Sequence, residues 1–356
     1  MTIEEPLAVL SQFNIDNIEY QLTPVSNGLI NQSFVVSSLT DNKKLYFLQR
    51  VNHSIFKNIE GLMNNVKVVC SYFETVENDP AHLELILTKE ENSFYISTEK
   101  NYWRLYRYIG GDTYFRADNL GLAKEAGAAY GHFLGTLNNL NPEKLAITLP
   151  DFHDINVRYK QFQQSLIIAS EERKQKAQPW IRLVELEIKT VISIYKQITN
   201  TCPLRVTHND AKLSNLLFDA NKKAKCVIDY DTLMPGYIAL DFGDSVRTIC
   251  STSIEDDPNL DNTKLDMSVF EAFATQFIKN ISNIITKEEL ESLPKTGAYM
   301  AFIMGIRMLT DYLNNDVYYT IDYKEHNYDR ASNQLTLYKS ALSLESKIKD
   351  IIFKHI

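Results

Sequence analysis

The stretch RVTHNDAKLSNLLFD, Arg205 to Asp219, constrains this chain more than any other. His208 is followed two places on by Asp210, and Asp210 five places on by Asn215, just ahead of an apolar run. NLLFD, ANKK and AKCVID then read as strand, turn and strand, and Asp229 ends the return strand. A short loop with a carboxylate and an amide must therefore lie beside the end of a hairpin that carries a second carboxylate.

At 356 residues the chain exceeds what one small core serves, so two lobes are expected. A formal net charge of -8 leaves no basic footprint for nucleic acid or for an anionic membrane surface. Cys70, Cys202, Cys226 and Cys250 are widely spaced and form no C-x-x-C pair, as expected of reduced, buried thiols rather than zinc ligands. Glu4 and Glu5 stand where a secretion signal needs basic residues. No apolar run approaches the roughly 20 residues of a membrane helix; MAFIMGIRMLTDYL is broken by Arg307 and Asp311. The expectation is a cytoplasmic monomer that acts on a small molecule, without nucleic acid or membrane as a partner.

Residues 20–50 read as strands joined by turns, through SNGLINQSFVVSS and DNKKLYFLQRV. Residues 56–78 place Leu62, Val66, Val69 and Phe73 on one helical stripe. LELILT, SFYIS and YWRLYRYI are again strand-like. Residues 1–108 thus predict a small, mostly antiparallel sheet with one helix. Beyond a hinge near Tyr108–Gly111, LGLAKEAGAAYGHFLGTLNNL is a helix rich in small residues, suited to close packing. Further helical periods fall at about 155–175, 180–199, 264–283, 296–315 and 328–350. Residues 109–356 are therefore a larger, mainly helical lobe, interrupted by the hairpin segment. The run EERKQK, Glu171–Lys176, reads as a solvated helix face or helix end.

An Asp followed five residues later by an Asn is the catalytic-loop pattern of kinases. In that pattern the Asp accepts the proton of the attacking hydroxyl, and the Asn turns back to hold Mg²⁺. Asp210 is the expected base. Asn215 and Asp229 are the expected metal ligands, since a few hard oxygens plus phosphate and water suit Mg²⁺. Asp241-Phe242-Gly243 spells the metal-binding triplet of protein kinases but comes too late, after MPG. Asp241 is expected to brace the catalytic loop instead, with Asp231 as an auxiliary ligand. The His208 ring is expected to bond the loop backbone.

Taken together, these segments resemble the aminoglycoside phosphotransferase/choline kinase superfamily, and most closely the bacterial N-acetylhexosamine 1-kinases. The resemblance runs over nearly the whole chain, through SNGLINQSF, YFLQRVNHSIFKNIEGLMNNV, LPDFHDINVRY, PLRVTHNDAKLSNLLFD, VIDYDTLMPGYIALDFGDSVR and GIRMLTDYLNNDVYY. It implies an α+β, two-lobed, protein-kinase-like fold with ATP in the cleft and Mg²⁺ as cofactor. The implied acceptor is the anomeric hydroxyl of N-acetylglucosamine or N-acetylgalactosamine. Thr232, Arg307 and Tyr318 would line the sugar pocket, with Leu29 standing where that branch often has a His. Asn27, Gly28 and Asn31, in the turn Asn27–Ser33, would cover the nucleotide, and the backbone of Tyr106–Ile109, Tyr108 included, would meet adenine. Gln49 stands where many kinases carry a lysine on the third strand. It brings a neutral donor and no charge, as in the sugar kinase branch. An aminoglycoside, choline or homoserine-type acceptor is the alternative, for which Asp316, Asp322 and Glu325 would supply acidic groups. A nucleotide-binding pseudokinase is a third reading, against which Asp210, Asn215 and Asp229 stand intact.

Overall fold

The computed structural model describes residues 4–25, 30–76 and 82–354. After a short helix α1 (Glu4–Leu10), three strands form an antiparallel meander: β1 (Tyr20–Val25), β2 (Gln32–Ser38) and β3 (Lys44–Val51). Helix α2 (Ile59–Glu74) follows, then β4 (Leu85–Ile86), β5 (Tyr95–Ile96) and β6 (Tyr102–Arg107). The sheet runs β1-β2-β3-β6-β4, with β5 also paired to β6.

Strand alternation splits this sheet into two faces. Phe34, Val36, Leu48, Trp103 and Leu105 point one way and pack with Val9, Leu10 and Phe13 of the α1 segment. The opposite face looks toward α2 and the second lobe. Asn58 caps α2 by accepting from Gly61 N at 2.9 Å, and the helix buries the stripe Leu62, Val66, Val69 and Phe73.

The chain leaves the sheet at Tyr108, whose N–H still bonds Leu45 O. It docks at once on the hairpin of residues 216–227, where Asp112 and Phe218 exchange both backbone bonds at 2.9 Å. Gly111 permits this approach, since a Cβ there would stand 2.8 Å from Phe218 O.

The second lobe comprises α3 (Leu120–Leu137), α4 (Ile155–Ile168), α5 (Glu171–Thr201), β7 (Arg205–Thr207), β8 (Leu216–Phe218), β9 (Ala224–Val227), β10 (Met234–Gly236), α6 (Ile238–Ile249), α7 (Met267–Ile281), α8 (Lys287–Leu313), α9 (His326–Ser343) and α10 (Glu345–Lys354). The small residues of α3 have a purpose: a Cβ on Gly127 would lie 2.2 Å from Phe273 O of α7. β8 and β9 form the expected hairpin, and β7 pairs with β10. Two expectations change. The break between the helices of 155–199 falls at Ser170, whose hydroxyl caps Arg173 N, and α5 then runs unbroken through Pro179. Helix α6 was not anticipated: its polar stripe, Asp241, Asp244 and Arg247, is turned into the protein rather than to water, and those residues read as motif positions rather than as a helix face. No helix among the described residues is long and apolar enough to cross a membrane.

Candidate active site

The loop between β7 and β8 is held by side chains that bond backbone groups. Asn209 adopts a left-handed conformation, φ 62°, and its amide donates to the carbonyls of Thr207, Thr232 and Met234 at 3.1–3.2 Å. Asp241, at the first turn of α6, accepts the N–H groups of His208 and Asn209, each at 2.7 Å. Both its oxygens are thereby turned to the loop. Burial pushes its pKa up to about 7 against the pull of those two N–H groups. The two residues after Asp241 pack rather than bind: Phe242 lies among Phe270, Phe273 and Phe277, and a Cβ on Gly243 would meet Thr296 O at 2.4 Å.

His208 is fully buried. Its Nε2 faces Ile228 O at 2.9 Å and must donate, so Nδ1 accepts the Asp210 N–H at 3.3 Å. Burial lowers its pKa, consistent with this neutral tautomer. Tyr130 donates to Lys212 O and Ser245 to Ala211 O, both at 2.7 Å, and fasten the loop from α3 and α6.

Asp210 Oδ2 lies 2.7 Å from Lys212 Nζ and accepts from Asn215 Nδ2 at 3.0 Å. Burial raises the Asp210 pKa, but the Lys212 charge more than offsets it and draws it down to about 2. Asn215 Nδ2 also donates to Asp210 O, at 2.9 Å, which fixes the amide orientation. Its Oδ1 then faces the other way and meets no donor among the described residues.

Asp229 closes β9 in a left-handed conformation, φ 65° and ψ 62°. Ile228 N bonds Asn215 O at 2.9 Å, which brings the end of the hairpin beside the loop. The Asp229 carboxylate opens onto the cleft and has no hydrogen-bond donor among the described residues. Enclosure by the surrounding protein, then the Asp231 charge, raises its pKa. These bare oxygens of Asp229 and Asn215 are a hard, sparse donor set that fits Mg²⁺, which keeps several waters. The described residues contain no cluster of three or more His, Cys, Asp or Glu groups fit to hold a metal.

Asp231 is buried and fully engaged: Arg104 pairs with its Oδ1, and Asn31 Nδ2 donates to its Oδ2 at 2.6 Å. Asn31 also accepts from Asn52 N at 2.9 Å, so its amide ties the first lobe to the second. Gln49 lies beside Arg104, which donates twice to its Oε1. Tyr108 keeps its N–H in the sheet and its ring under Lys44. Asn27, Gly28 and Leu29 lie outside the described residues.

On the far side of the loop, His153 Nε2 bonds Asn209 O at 2.8 Å and the Phe152 ring lies against His153. Arg307 places its guanidinium 5.2 Å over Phe152 and 6.0 Å from the Tyr319 ring. Arg158 is its neighbour, and burial and then the Arg307 charge lower the Arg158 pKa. Neither arginine has a carboxylate partner among the described residues. Tyr318 stacks edge-on against Tyr319 and is 61% exposed, its backbone held by Asp311. Thr232 gives its hydroxyl proton to His208 O at 2.6 Å, which leaves it only as an acceptor.

The structure thus brings Asp210, Asn215, Asp229, Asp231 and Asp241 together, and groups Arg307 and Tyr318 around Phe152 and Tyr319, while Thr232 bonds the Asp210 loop instead. Sequence reasoning missed Lys212, although it sits two places after Asp210. It also missed Arg104, which no spacing marks.

A sheet-bearing lobe and a helical lobe, with a carboxylate loop beside the hairpin that ends at Asp229, place the chain among phosphotransferases. The chain belongs to the APH family, the phosphotransferase enzyme family, which matches residues 22–267. Its fold is similar to that of an aminoglycoside phosphotransferase from Alicyclobacillus acidocaldarius, at 12% identity and a TM-score of 0.66 over 99% of this chain and 97% of that one. It is also similar to a choline kinase from Cryptosporidium parvum, at 12% identity and a TM-score of 0.57 over 99% of each chain. A spectinomycin phosphotransferase in complex with ADP and spectinomycin gives 12% identity and a TM-score of 0.58, over 100% of this chain and 98% of that one.

Proposed function

We propose that the chain is an ATP- and Mg²⁺-dependent kinase that phosphorylates the anomeric hydroxyl of a sugar, with N-acetylglucosamine and N-acetylgalactosamine as the first acceptors to test. The observation that carries this reading is the charge of the acceptor wall. Arg307 and Arg158 stand there without carboxylates. Of the acidic residues that could have balanced a cationic acceptor, Asp316 pairs with Arg173 at 2.7 Å and Glu325 with Lys176 at 2.8 Å. Asp322 is exposed, its side chain 84% accessible beside His326. An aminoglycoside or choline would meet the Arg307 guanidinium, with Arg158 behind it held by Gln161 and the carbonyls of Asp151 and Phe152. A neutral sugar gives Arg307 hydroxyl or acetamido oxygens to bond and gives Tyr318 an apolar face.

Each residue has a role in this reading. Asp210 accepts the proton of the attacking hydroxyl. Asp229 and Asn215 hold Mg²⁺, which neutralises phosphate charge when bound. Lys212, 2.7 Å from the Asp210 carboxylate, holds it ionised. Drawn instead to a phosphate oxygen, it lets the Asp210 pKa rise and makes the carboxylate a stronger base.

The test is a screen for ADP release with ATP–Mg²⁺ over N-acetylhexosamines, hexoses, aminoglycosides, choline and homoserine. A glycosyl phosphate is expected, acid-labile and with a ³¹P–¹H coupling to the anomeric proton. An acid-stable product would overturn the sugar 1-kinase reading, and turnover of no acceptor would favour the pseudokinase.

A further inference from the structure

Three side chains lie in a row across the sheet. Ser33 stands opposite Gln49, and Gln49 opposite Arg104, so β2, β3 and β6 present them on one face. Arg104 Nε and Nη2 donate to Gln49 Oε1 at 3.1 and 2.9 Å, and Gln49 Nε2 donates to Ser33 Oγ at 3.0 Å. A guanidinium offers donors only, so nothing but the amide oxygen can face it. The Gln49 amide is therefore fixed, with its N–H₂ turned away from Arg104. One N–H goes to Ser33. The second has no protein partner among the described residues. Ser33, having accepted, keeps its own hydroxyl proton to give.

Kinases with a lysine on the third strand pair it with a glutamate from the helix that follows. Here that helix, α2, offers only the Met63 sulfur, 3.8 Å from Arg104 Nη1. The cation stands one strand over, on β6, and its carboxylate, Asp231, comes from the loop that follows the Asp229 hairpin. Side-chain exposure of the pair is 1% and 4%. An ion pair this deep is rarely the cheapest way to fill a core, which favours a task beyond packing.

We propose that Arg104 is the nucleotide-positioning cation of this cleft, acting through Gln49, whose oriented amide and the Ser33 hydroxyl are offered as donors to the nucleotide phosphates. Through Asp231 the same arginine ties that donor row to the hairpin that carries Asp229. The inference rests on the kinase reading above.

The test measures binding of a fluorescent ADP analogue with Mg²⁺, the melting temperature, and KM for ATP and for the acceptor. Gln49→Glu keeps the shape and gains a charge partner in Arg104, so its melting temperature should hold or rise. It removes the donor, and nucleotide affinity should fall about tenfold or more, the worth of one or two hydrogen bonds to a charged group. Arg104→Met should weaken nucleotide binding at least as much and change the acceptor KM far less. Adding Gln49→Lys to Arg104→Met returns a cation to the third strand and should restore affinity to within a few-fold of wild type. Wild-type affinity in Gln49→Glu, or a double variant no better than Arg104→Met while folded, would overturn the inference alone. If Arg104→Met does not fold, Gln49→Glu decides. A wild-type protein that binds no adenine nucleotide would overturn the kinase reading and this inference with it.

Discussion

At Asp210, two donors converge on one carboxylate oxygen, the Lys212 ammonium and the Asn215 amide, while behind them the His208 ring accepts the Asp210 backbone N–H. Asp210→Asn keeps the volume and the loop. We expect the fold and nucleotide binding to persist and kcat to fall by roughly 10²–10⁴, the usual worth of a general base. Near-normal turnover would remove Asp210 from the mechanism. Asp229 and Asp241 should respond differently to alanine. Asp229→Ala deletes bare oxygens and should abolish Mg²⁺-dependent ATP binding with little loss of stability. Asp241→Ala strips two N–H groups of their acceptor and should cost about 2–4 kcal/mol in urea unfolding, with some metal binding retained. The reverse order in metal titration and unfolding would make the Asp241 triplet the metal site. Asp210, Asn215 and Asp229 were legible because a hairpin keeps them close in sequence. Arg104 was not: its partners Gln49 and Asp231 lie 55 and 127 positions away, and an Arg set between Trp103 and Leu105 carries no period that names its partners.

Among the elements, α6 and α9 are joined by charge. Arg247 of α6 pairs with Asp244 at 2.8 Å and with Glu255 at 2.5 Å, and Arg330 of α9 reaches the other Glu255 oxygen at 2.7 Å. Burial raises the Glu255 pKa, but the two arginines more than offset it and bring it down to about 2, from an ordinary 4.5. A carboxylate depressed by folding contributes stability that is whole above pH 4.5 and is lost as pH falls toward 2. Glu255→Gln should therefore be less stable than wild type at pH 7, by on the order of 2–3 kcal/mol. The gap should narrow between pH 4.5 and 2. Unfolding curves at pH 7, 5, 4 and 3 would show it, and a gap independent of pH would reject the ion-pair account. The helices that sequence periodicity located, such as α2 and α7, each have a wet face. α6 has none, and its polar residues face other buried residues. It is the element that holds the Asp210 loop, through Asp241 and Ser245, and its polar stripe is spent inside the protein instead of marking a solvent face.

Over the whole molecule, the two lobes meet at more than the Tyr108 crossing. Arg104 and Asn31 of the first lobe both end on Asp231 of the second, and Asn65 of α2 bonds Leu233 O and both backbone groups of Ala146 at 2.8 Å. Asp231→Asn keeps the size of the hub but leaves Arg104 a buried cation without a counter-charge. A loss of about 3–5 kcal/mol is expected. Hydrogen exchange should quicken in β6 and α2 while α3 and α7, which pack on each other, keep their protection. Unchanged exchange in β6 would show that the lobes do not depend on this hub.

The split of that ion pair between strands and lobes also shapes how such a chain can vary. A lineage moving the cation from β6 to β3 must change two positions, Gln49 and Arg104. If Gln49→Lys comes first, two cations crowd one carboxylate; if Arg104 is lost first, Asp231 is stranded without any. Either intermediate is worse than both ends. A scan of single substitutions should mark each site as intolerant, while the double change proposed above should be tolerated. The depth of the valley between the two arrangements, rather than the superiority of either, would then hold a chain to the one it has.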